Sequence, residues 1–236
     1  MKYLPKTAEE LWTGAMLLID KPLDWSSFDV VNKVRYSING KIKVGHAGTL
    51  DPRATGLLVV CTGRWTKRIS EFVGLDKDYE GTFKMGETTP SYDSEAEVDQ
   101  TFSTEHLNGE LLEQATEKFK GKFEQYAPIY SALKVNGKRS YKLARAGVAV
   151  ERKKREVTID RFDLTKIALP EVDFFVTCSK GTYIRSLAHD FGAAVKSGAY
   201  LSALKRSRVG EYKLSNAHQL DTLIPYLDTL TKDHVR

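Results

Sequence analysis

Apolar residues follow three patterns along this chain, and their order predicts a mixed fold. Residues 15–20 form a short, largely apolar run that ends in Asp20 before Lys21-Pro22, where proline cannot donate to a sheet, so the run predicts a buried strand. Residues 56–61 repeat that signature. Between the two, Ser26 and Ser27 offer caps to a helix whose apolar positions Phe28, Val31, Val34 and Ile38 recur three or four apart. Residues 41–54 are a polar, glycine-containing connection, and 64–72 read as a short helix. Residues 78–87 alternate, with Tyr79, Phe83 and Met85 sharing one parity, which predicts a strand with one buried face.

The second half continues the mixture. Residues 87–99 are acidic and aperiodic, a loop. An amphipathic helix over 111–119 enters from Asn108-Gly109, and 153–162 and 172–179 read as strands. A helix over 182–196 ends at Gly198, 201–212 suggests a last core strand pair, and 220–230 a terminal helix. Strands and helices mix without a regular βαβ rhythm, so the expected class is α+β: a mixed, mostly antiparallel central sheet flanked by helices and loops. No internal repeat at a period of 20–50 residues is visible.

Charge changes the picture more than composition does. The 236 residues carry a formal charge of +5. Residues 134–155 hold nine Lys or Arg against Glu151, a local +8, so the remainder sums to −3. Tyr130 and Tyr141 flank or interleave this stretch, and smaller clusters occur at Arg64, Lys67, Arg68 and at Lys205, Arg206, Arg208. A charge run is usually a solvated face. Three basic clusters with nearby aromatics on an otherwise acidic chain point instead to phosphates and unstacked bases.

The chemistry motifs mostly exclude. No phosphate-binding loop of the GxxxxGK[ST] kind and no GxGxxG is present, and His46, His106, His189, His218 and His234 lack metal-ligand spacing. Cys61 and Cys178 show no CxxC spacing, and no apolar run approaches the ~20 residues of a membrane span. A cytoplasmic protein without cofactor or metal is expected, with catalysis resting on ordinary acids, bases and aromatics.

One stretch is more specific. Asp51-Pro52 alone is a turn signal. The whole run Gly45-His46-Ala47-Gly48-Thr49-Leu50-Asp51-Pro52-Arg53-Ala54-Thr55-Gly56-Leu57-Leu58, however, resembles the GHxGTLDPxATGLL motif of the TruB family of tRNA pseudouridine synthases. Leu18-Ile19-Asp20-Lys21-Pro22 with Ser26-Ser27 resembles the family's first motif, and Asp78-Tyr79 its tyrosine motif. Residues 128–133 with Lys134 resemble PxYSALK, residues 179–185 SKGTYIR, and Leu204-Lys205-Arg206 the Leu-Arg-Arg segment. The six matches keep their order over residues 18–206. Asp24 stands where the family usually has Gly, Trp65 where a small residue is common, and Ser207 where Leu is frequent.

The resemblance implies a pseudouridine synthase catalytic domain over 10–212, with a basic RNA-binding insertion at about 125–155. Residues 213–236 form a short C-terminal segment, too few for the PUA domain of many members. It implies isomerisation of uridine 55 in the tRNA TΨC loop by base flipping, with Asp51 as nucleophile, attacking ribose C1′ or pyrimidine C6. Arg185 is expected to pair with Asp51. Tyr79 is expected to stack on the uracil and to accept a proton, and Tyr183 and Leu204 to close the pocket. Lys21 would support the nucleophile loop and His46 insert where the flipped base had been, while Lys67, Lys134 and Arg155 add RNA contacts. The expected partner is the tRNA T arm, with no membrane and no protein partner, for a monomer. Competing expectations are an RNA-folding module that does not need Asp51, and the same chemistry on another RNA.

Overall fold

The computed structural model describes residues 4–38, 40, 42–128, 134–135, 138–139 and 154–232. Its elements divide into two compact units, residues 1–79 with 204–236, and residues 80–203.

The first unit begins with helix α1 (Ala8–Thr13), capped by Thr7, and strand β1 (Met16–Lys21). Helix α2 (Ser27–Ser37) follows, then β2 (Val44–His46), β3 (Ala54–Thr62), a 3-10 turn (Gly63–Arg68) and α3 (Ile69–Val73). Strand β4 (Lys77–Met85) leads into the second unit. That unit holds β5 (Glu87–Thr88), β6 (Gln100–Thr101), α4 (Gly109–Thr116), β7 (Gly121–Tyr126) and the short pair β8 (Lys134–Val135) and β9 (Lys138–Arg139). Strands β10 (Lys154–Ala168) and β11 (Glu171–Cys178) and helix α5 (Ile184–Ala194) complete it. Strand β12 (Ala199–Val209) returns to the first unit, which closes with β13 (Tyr212–Lys213), β14 (His218–Gln219) and α6 (Leu220–Lys232).

The strand order β14-β1-β3-β12-β4-β11-β10-β7 defines a ten-stranded sheet, with β13 on β12 and β2 on β3. Pairing is antiparallel for β1 with β3, β10 with β11 and β10 with β7. It is parallel for β1 with β14 and for β12 with β3. The α+β class, with a mixed and mostly antiparallel sheet, is thus the observed one.

Burial explains the strand runs. β1 and β3 are apolar along nearly their whole length because both of their faces are covered. One face meets Ala47, Phe72 and Val209, with Trp65 and Tyr212 packed at the edge. On α2 the inward positions are Val30, Val31 and Val34, each worth about 1.5–3 kcal/mol when buried. Phe28, expected on that stripe, is 58% exposed. At about 100° per residue Ser27, Val30, Val31 and Val34 share the inward side, and Phe28 projects roughly a quarter-turn away from it. Asp29 closes the N-terminus reciprocally: its backbone N–H donates to Ser26 Oγ at 3.1 Å and its Oδ2 accepts from Ser26 N–H at 2.8 Å. The second unit is centred on phenylalanines. Phe83 stacks on Phe174 at 4.2 Å between centroids, and Phe162 meets Phe191 of α5 edge-on at 5.6 Å.

Some elements depart from the sequence expectation. The connection 41–54 contains β2, and the strand expected over 153–162 continues to Ala168. Strand β7 and helix α1 are additions that the apolar pattern does not announce. Trp65 is accommodated by Gly14: a Cβ there would lie 2.3 Å from the indole Cδ1. A large ring at 65 therefore requires the missing side chain at 14.

Candidate active site

In the first unit, the connection from β2 to β3 carries Asp51 at the start of a turn, where its carbonyl accepts from Ala54 N–H at 3.0 Å. Both flanks of the acid are pinned. On one side the buried Ser27 hydroxyl accepts from Leu50 N–H at 2.8 Å and donates to Leu50 C=O at 2.9 Å. On the other, Pro52 C=O accepts from Asp24 N–H at 2.9 Å and from Lys21 Nζ at 3.4 Å. Asp51 itself is half-buried.

Lys21 is fully buried at the end of β1, and its ammonium also donates to the carbonyls of Pro22, at 2.9 Å, and Trp25. Burial pushes its pKa down to about 8, against the opposing pull of Asp51, the strongest of the nearby charges. Lys21 thus gathers carbonyls of the β1–α2 connection and of the Asp51 turn around one ammonium.

Arg206, not singled out by the sequence for this place, is the largest fully buried side chain among the described residues. Its Nε donates to Leu57 C=O at 2.8 Å and its Nη2 to Gly48 C=O at 3.1 Å, so one guanidinium ties strand β3 to the loop ahead of Asp51. Gly56 admits this packing. Its φ is 96° and a Cβ would lie 2.4 Å from Arg206 C=O, which explains the glycine of the motif. His46 lies half-buried on β2 with Nδ1 enclosed and without a hydrogen-bond partner. Burial, then the Arg206 charge, lowers its pKa.

The remaining expected residues of this unit are Tyr79, Leu204 and Lys67. Tyr79 is 8% exposed on β4. Its neighbour Asp78 accepts from Arg208 Nε at 2.5 Å and Nη2 at 2.6 Å. Leu204 is half-buried on β12 in register with Ala54, and Lys67 is exposed on the 3-10 turn.

In the second unit, Arg185 is buried in the first turn of α5. Its Nη1 lies 3.2 Å from Asp93 Oδ2 and donates to Ser91 C=O at 3.3 Å. Asp93 is buried and accepts from Ser91 Oγ at 2.6 Å and from Glu95 N–H at 3.0 Å. Nothing periodic in the acidic stretch 87–99 distinguishes Asp93 from its neighbours. Tyr183 caps α5. Gln125, fully buried on β7, accepts from Tyr183 N–H at 2.8 Å and donates to Tyr183 C=O at 3.0 Å. The Arg155 guanidinium lies 4.7 Å over the Tyr183 ring and donates to Gly181 C=O at 3.1 Å. Among the residues expected to contact RNA, Arg155 is thus committed to the turn that bears Tyr183. The side chains of Lys134, Tyr130 and Tyr141, the match at 129–133 and most of the basic run lie outside the described residues.

Among the described residues, no group of three or more His, Cys, Asp or Glu is placed to hold a metal ion. No described helix is long and apolar enough to cross a membrane. The first unit thus presents a carboxylate on a pinned turn with buried Lys21 and Arg206 organising the backbone around it, and the second a buried Arg185–Asp93 pair next to the Tyr183 cap. Groups of these kinds can serve covalent and stacking chemistry on a base.

Comparison with known proteins gives this class a family. Residues 35–184 match the sequence model of the TruB family pseudouridylate synthase (N terminal domain). The chain is 55% identical over 217 residues to the tRNA pseudouridine synthase B of Flavobacterium johnsoniae, covering 89% of this chain and 95% of that protein. It is 51% identical over 220 residues to the protein of that name from Phocaeicola vulgatus, covering 91% and 94%. Among solved structures it resembles a chain in a Cbf5-Nop10-Gar1 complex, with TM-score 0.73 and 24% identity, spanning all of this chain and 63% of that one. This likeness concerns the fold. The chain belongs to the TruB family of pseudouridylate synthases, enzymes that isomerise uridine to pseudouridine.

Proposed function

We propose that the protein converts uridine 55 of the tRNA TΨC loop to pseudouridine, with Asp51 as nucleophile. The tRNA substrate is supported by the names of the relatives, tRNA pseudouridine synthase B, whose length is matched almost throughout. The observation that carries the residue assignment is the pinning of Leu50 and Pro52, which fixes the backbone on both sides of Asp51 while Lys21 lies near its charge. A nucleophile gains from such preorganisation because its placement is settled before substrate arrives.

The reaction breaks the bond from uracil N1 to ribose C1′ and forms the bond from C5 to C1′. The C5 proton leaves and N1 gains one, so no oxidant or phosphate donor is needed. In this proposal Asp51 attacks as the nucleophile and holds the fragment covalently. Arg185 carries the countercharge to Asp51, as the family resemblance implies, and Asp93 fixes its guanidinium. Tyr79 stacks on the uracil and accepts the proton, and Tyr183 and Leu204 exclude water. Stacking of about 1–3 kcal/mol per base offsets much of the cost of extrusion. His46 inserts in the vacated place, while Lys67, Lys134 and Arg155 add to RNA affinity.

Incubating unmodified tRNA with the protein and mapping pseudouridine tests the assignment. A product at position 55 that vanishes with Asp51→Asn, while tRNA binding persists, is expected. Product elsewhere overturns the substrate, and near-normal turnover of Asp51→Asn overturns the nucleophile.

A further inference from the structure

We propose that Tyr92 and His189 form an aromatic brace that positions Arg185; this rests on the catalytic role given to Arg185 above. Tyr92 adopts φ 65°, the left-handed region that bulky side chains rarely enter. Such outliers persist only where their surroundings hold them, and they concentrate at functional sites. Here the backbone is held on both sides. Tyr92 N–H donates to Thr89 C=O at 3.1 Å, and Tyr92 C=O accepts from Leu201 N–H at 3.0 Å.

The consequence is a division of directions. Ser91 and Asp93, the two neighbours of Tyr92, both reach Arg185 Nη1, through a carbonyl at 3.3 Å and a carboxylate at 3.2 Å. The Tyr92 ring instead stacks on His189, with centroids 4.0 Å apart and planes 13° from parallel. His189 follows Arg185 by four residues on α5, one turn along the same face. Residues 91–93 therefore grip the helix at two successive turns, by charge at the first and by ring contact at the second.

The placement of Arg185 depends on where this loop sits, because Ser91 and Asp93 both bear on its Nη1. A shift of the loop would move both contacts together and alter the charge that the guanidinium presents. Loop displacement on the scale of 1 Å suffices to cost a catalysed reaction about a hundredfold. The stack fixes the loop's distance from the helix and with it the direction of Arg185. Tyr92 and His189 are positioning residues in this scheme, acting through Arg185 and not on the uridine.

Tyr92→Gly separates ring from backbone, since glycine takes the left-handed conformation without strain. The Nε–H signal of Arg185 is followed by nitrogen NMR in the wild type and in Tyr92→Gly, Tyr92→Phe and His189→Leu. Single-turnover pseudouridine formation and tRNA affinity are measured on the same proteins. The expected result is a shifted, faster-exchanging Arg185 signal and a turnover rate at least tenfold lower in Tyr92→Gly and His189→Leu. Affinity stays within about twofold, and Tyr92→Phe recovers both properties. An unchanged Arg185 signal in Tyr92→Gly overturns the brace whatever the enzyme does to RNA. If Tyr92→Gly does not fold, an unchanged signal in His189→Leu overturns it equally. A wild type inactive on tRNA overturns the proposed function, while the NMR arm still decides the brace.

Discussion

Gln125 holds Tyr183 by both of its backbone groups, receiving the N–H at 2.8 Å and donating to the C=O at 3.0 Å from a side chain with no exposed surface. The carbonyl has a second donor, Leu187 N–H at 3.0 Å, which is the first bond of α5. The N–H of a helix cap has no intrahelical acceptor, so Gln125 is what keeps it from being stranded. Gln125→Leu is expected to cost about 1–3 kcal/mol of stability, the penalty for one buried unsatisfied donor. Denaturant unfolding measures this. A cost near zero means that the cap finds another acceptor.

Asp24 illustrates how a departure from the family pattern is tolerated. Its φ is 63°, where glycine is unstrained and Asp is among the few other residues that fit. Its carboxylate meets Arg53 Nη1 at 3.0 Å, but both side chains are about half exposed or more, so the pair contributes little. Asp24→Gly should therefore change stability by less than about 1 kcal/mol. Asp24→Val, with a branched Cβ in the same conformation, should cost about 1–3 kcal/mol. Unfolding midpoints compare the two, and equal values would remove backbone conformation as the reason for the family's glycine.

Lys21 makes stability depend on alkaline pH. Burial lowers its pKa from 10.5 to about 8 in the folded protein. Between those values the unfolded chain binds the proton more readily, so stability rises with pH through that window. The folded state bears the full penalty below pH 8, where Lys21 is charged in both states. Unfolding free energies of wild type and Lys21→Met, measured from pH 7.5 to 10, isolate this contribution because the other titrating groups largely cancel. The wild type should gain on the variant as pH rises. A constant difference would mean that Lys21 keeps an ordinary pKa.

Arg206 governs two properties of its neighbourhood. Its fork joins Leu57 C=O and Gly48 C=O, so a lysine can serve one carbonyl at a time. Arg206→Lys should slow turnover about tenfold with little change in tRNA affinity, as expected when a reacting group is slightly misplaced. Removing the charge acts on His46, whose pKa is lowered first by burial and then by Arg206. In Arg206→Gln the imidazole pKa should move up, still limited by burial. Proton NMR titration of His46 reads this directly, and a downward or absent shift contradicts the electrostatic assignment.

The parts of this architecture that are legible in the sequence are those with a local period. The continuous apolar runs of β1 and β3 announce a covered strand pair, and Ser26 marks the start of α2. Asp51 and Arg185 are legible only through motif resemblance, since neither sits in a pattern that composition explains. The contacts that hold the site together are not visible along the chain. Gln125 and Tyr183 are 58 residues apart, and Arg206 and Leu57 are 149 apart, so no window contains both partners. Asp93 reads as one more acid in a polar loop until Arg185 is placed against it. β2 escapes because three half-buried residues with a glycine at their centre carry no alternation to detect.

Arg155 and Lys67 share an expected role as cations for RNA, yet their surroundings predict different behaviour. Lys67 is exposed on the 3-10 turn. If it neutralises one phosphate, Lys67→Ala should lower the slope of log affinity against log salt by up to about 1, with no effect on the chemical step. Arg155 is already engaged, over the Tyr183 ring at 4.7 Å and on Gly181 C=O at 3.1 Å. Arg155→Lys keeps the charge and so should keep the salt slope. A flexible ammonium does not reproduce a planar group that stacks and donates at once, so Tyr183 loses its support and turnover should fall about tenfold. Salt-titrated binding and single-turnover rates on both variants separate the roles. A reduced slope with normal turnover in Arg155→Lys would return Arg155 to the phosphate-binding set and leave the Tyr183 turn to be held by Gln125.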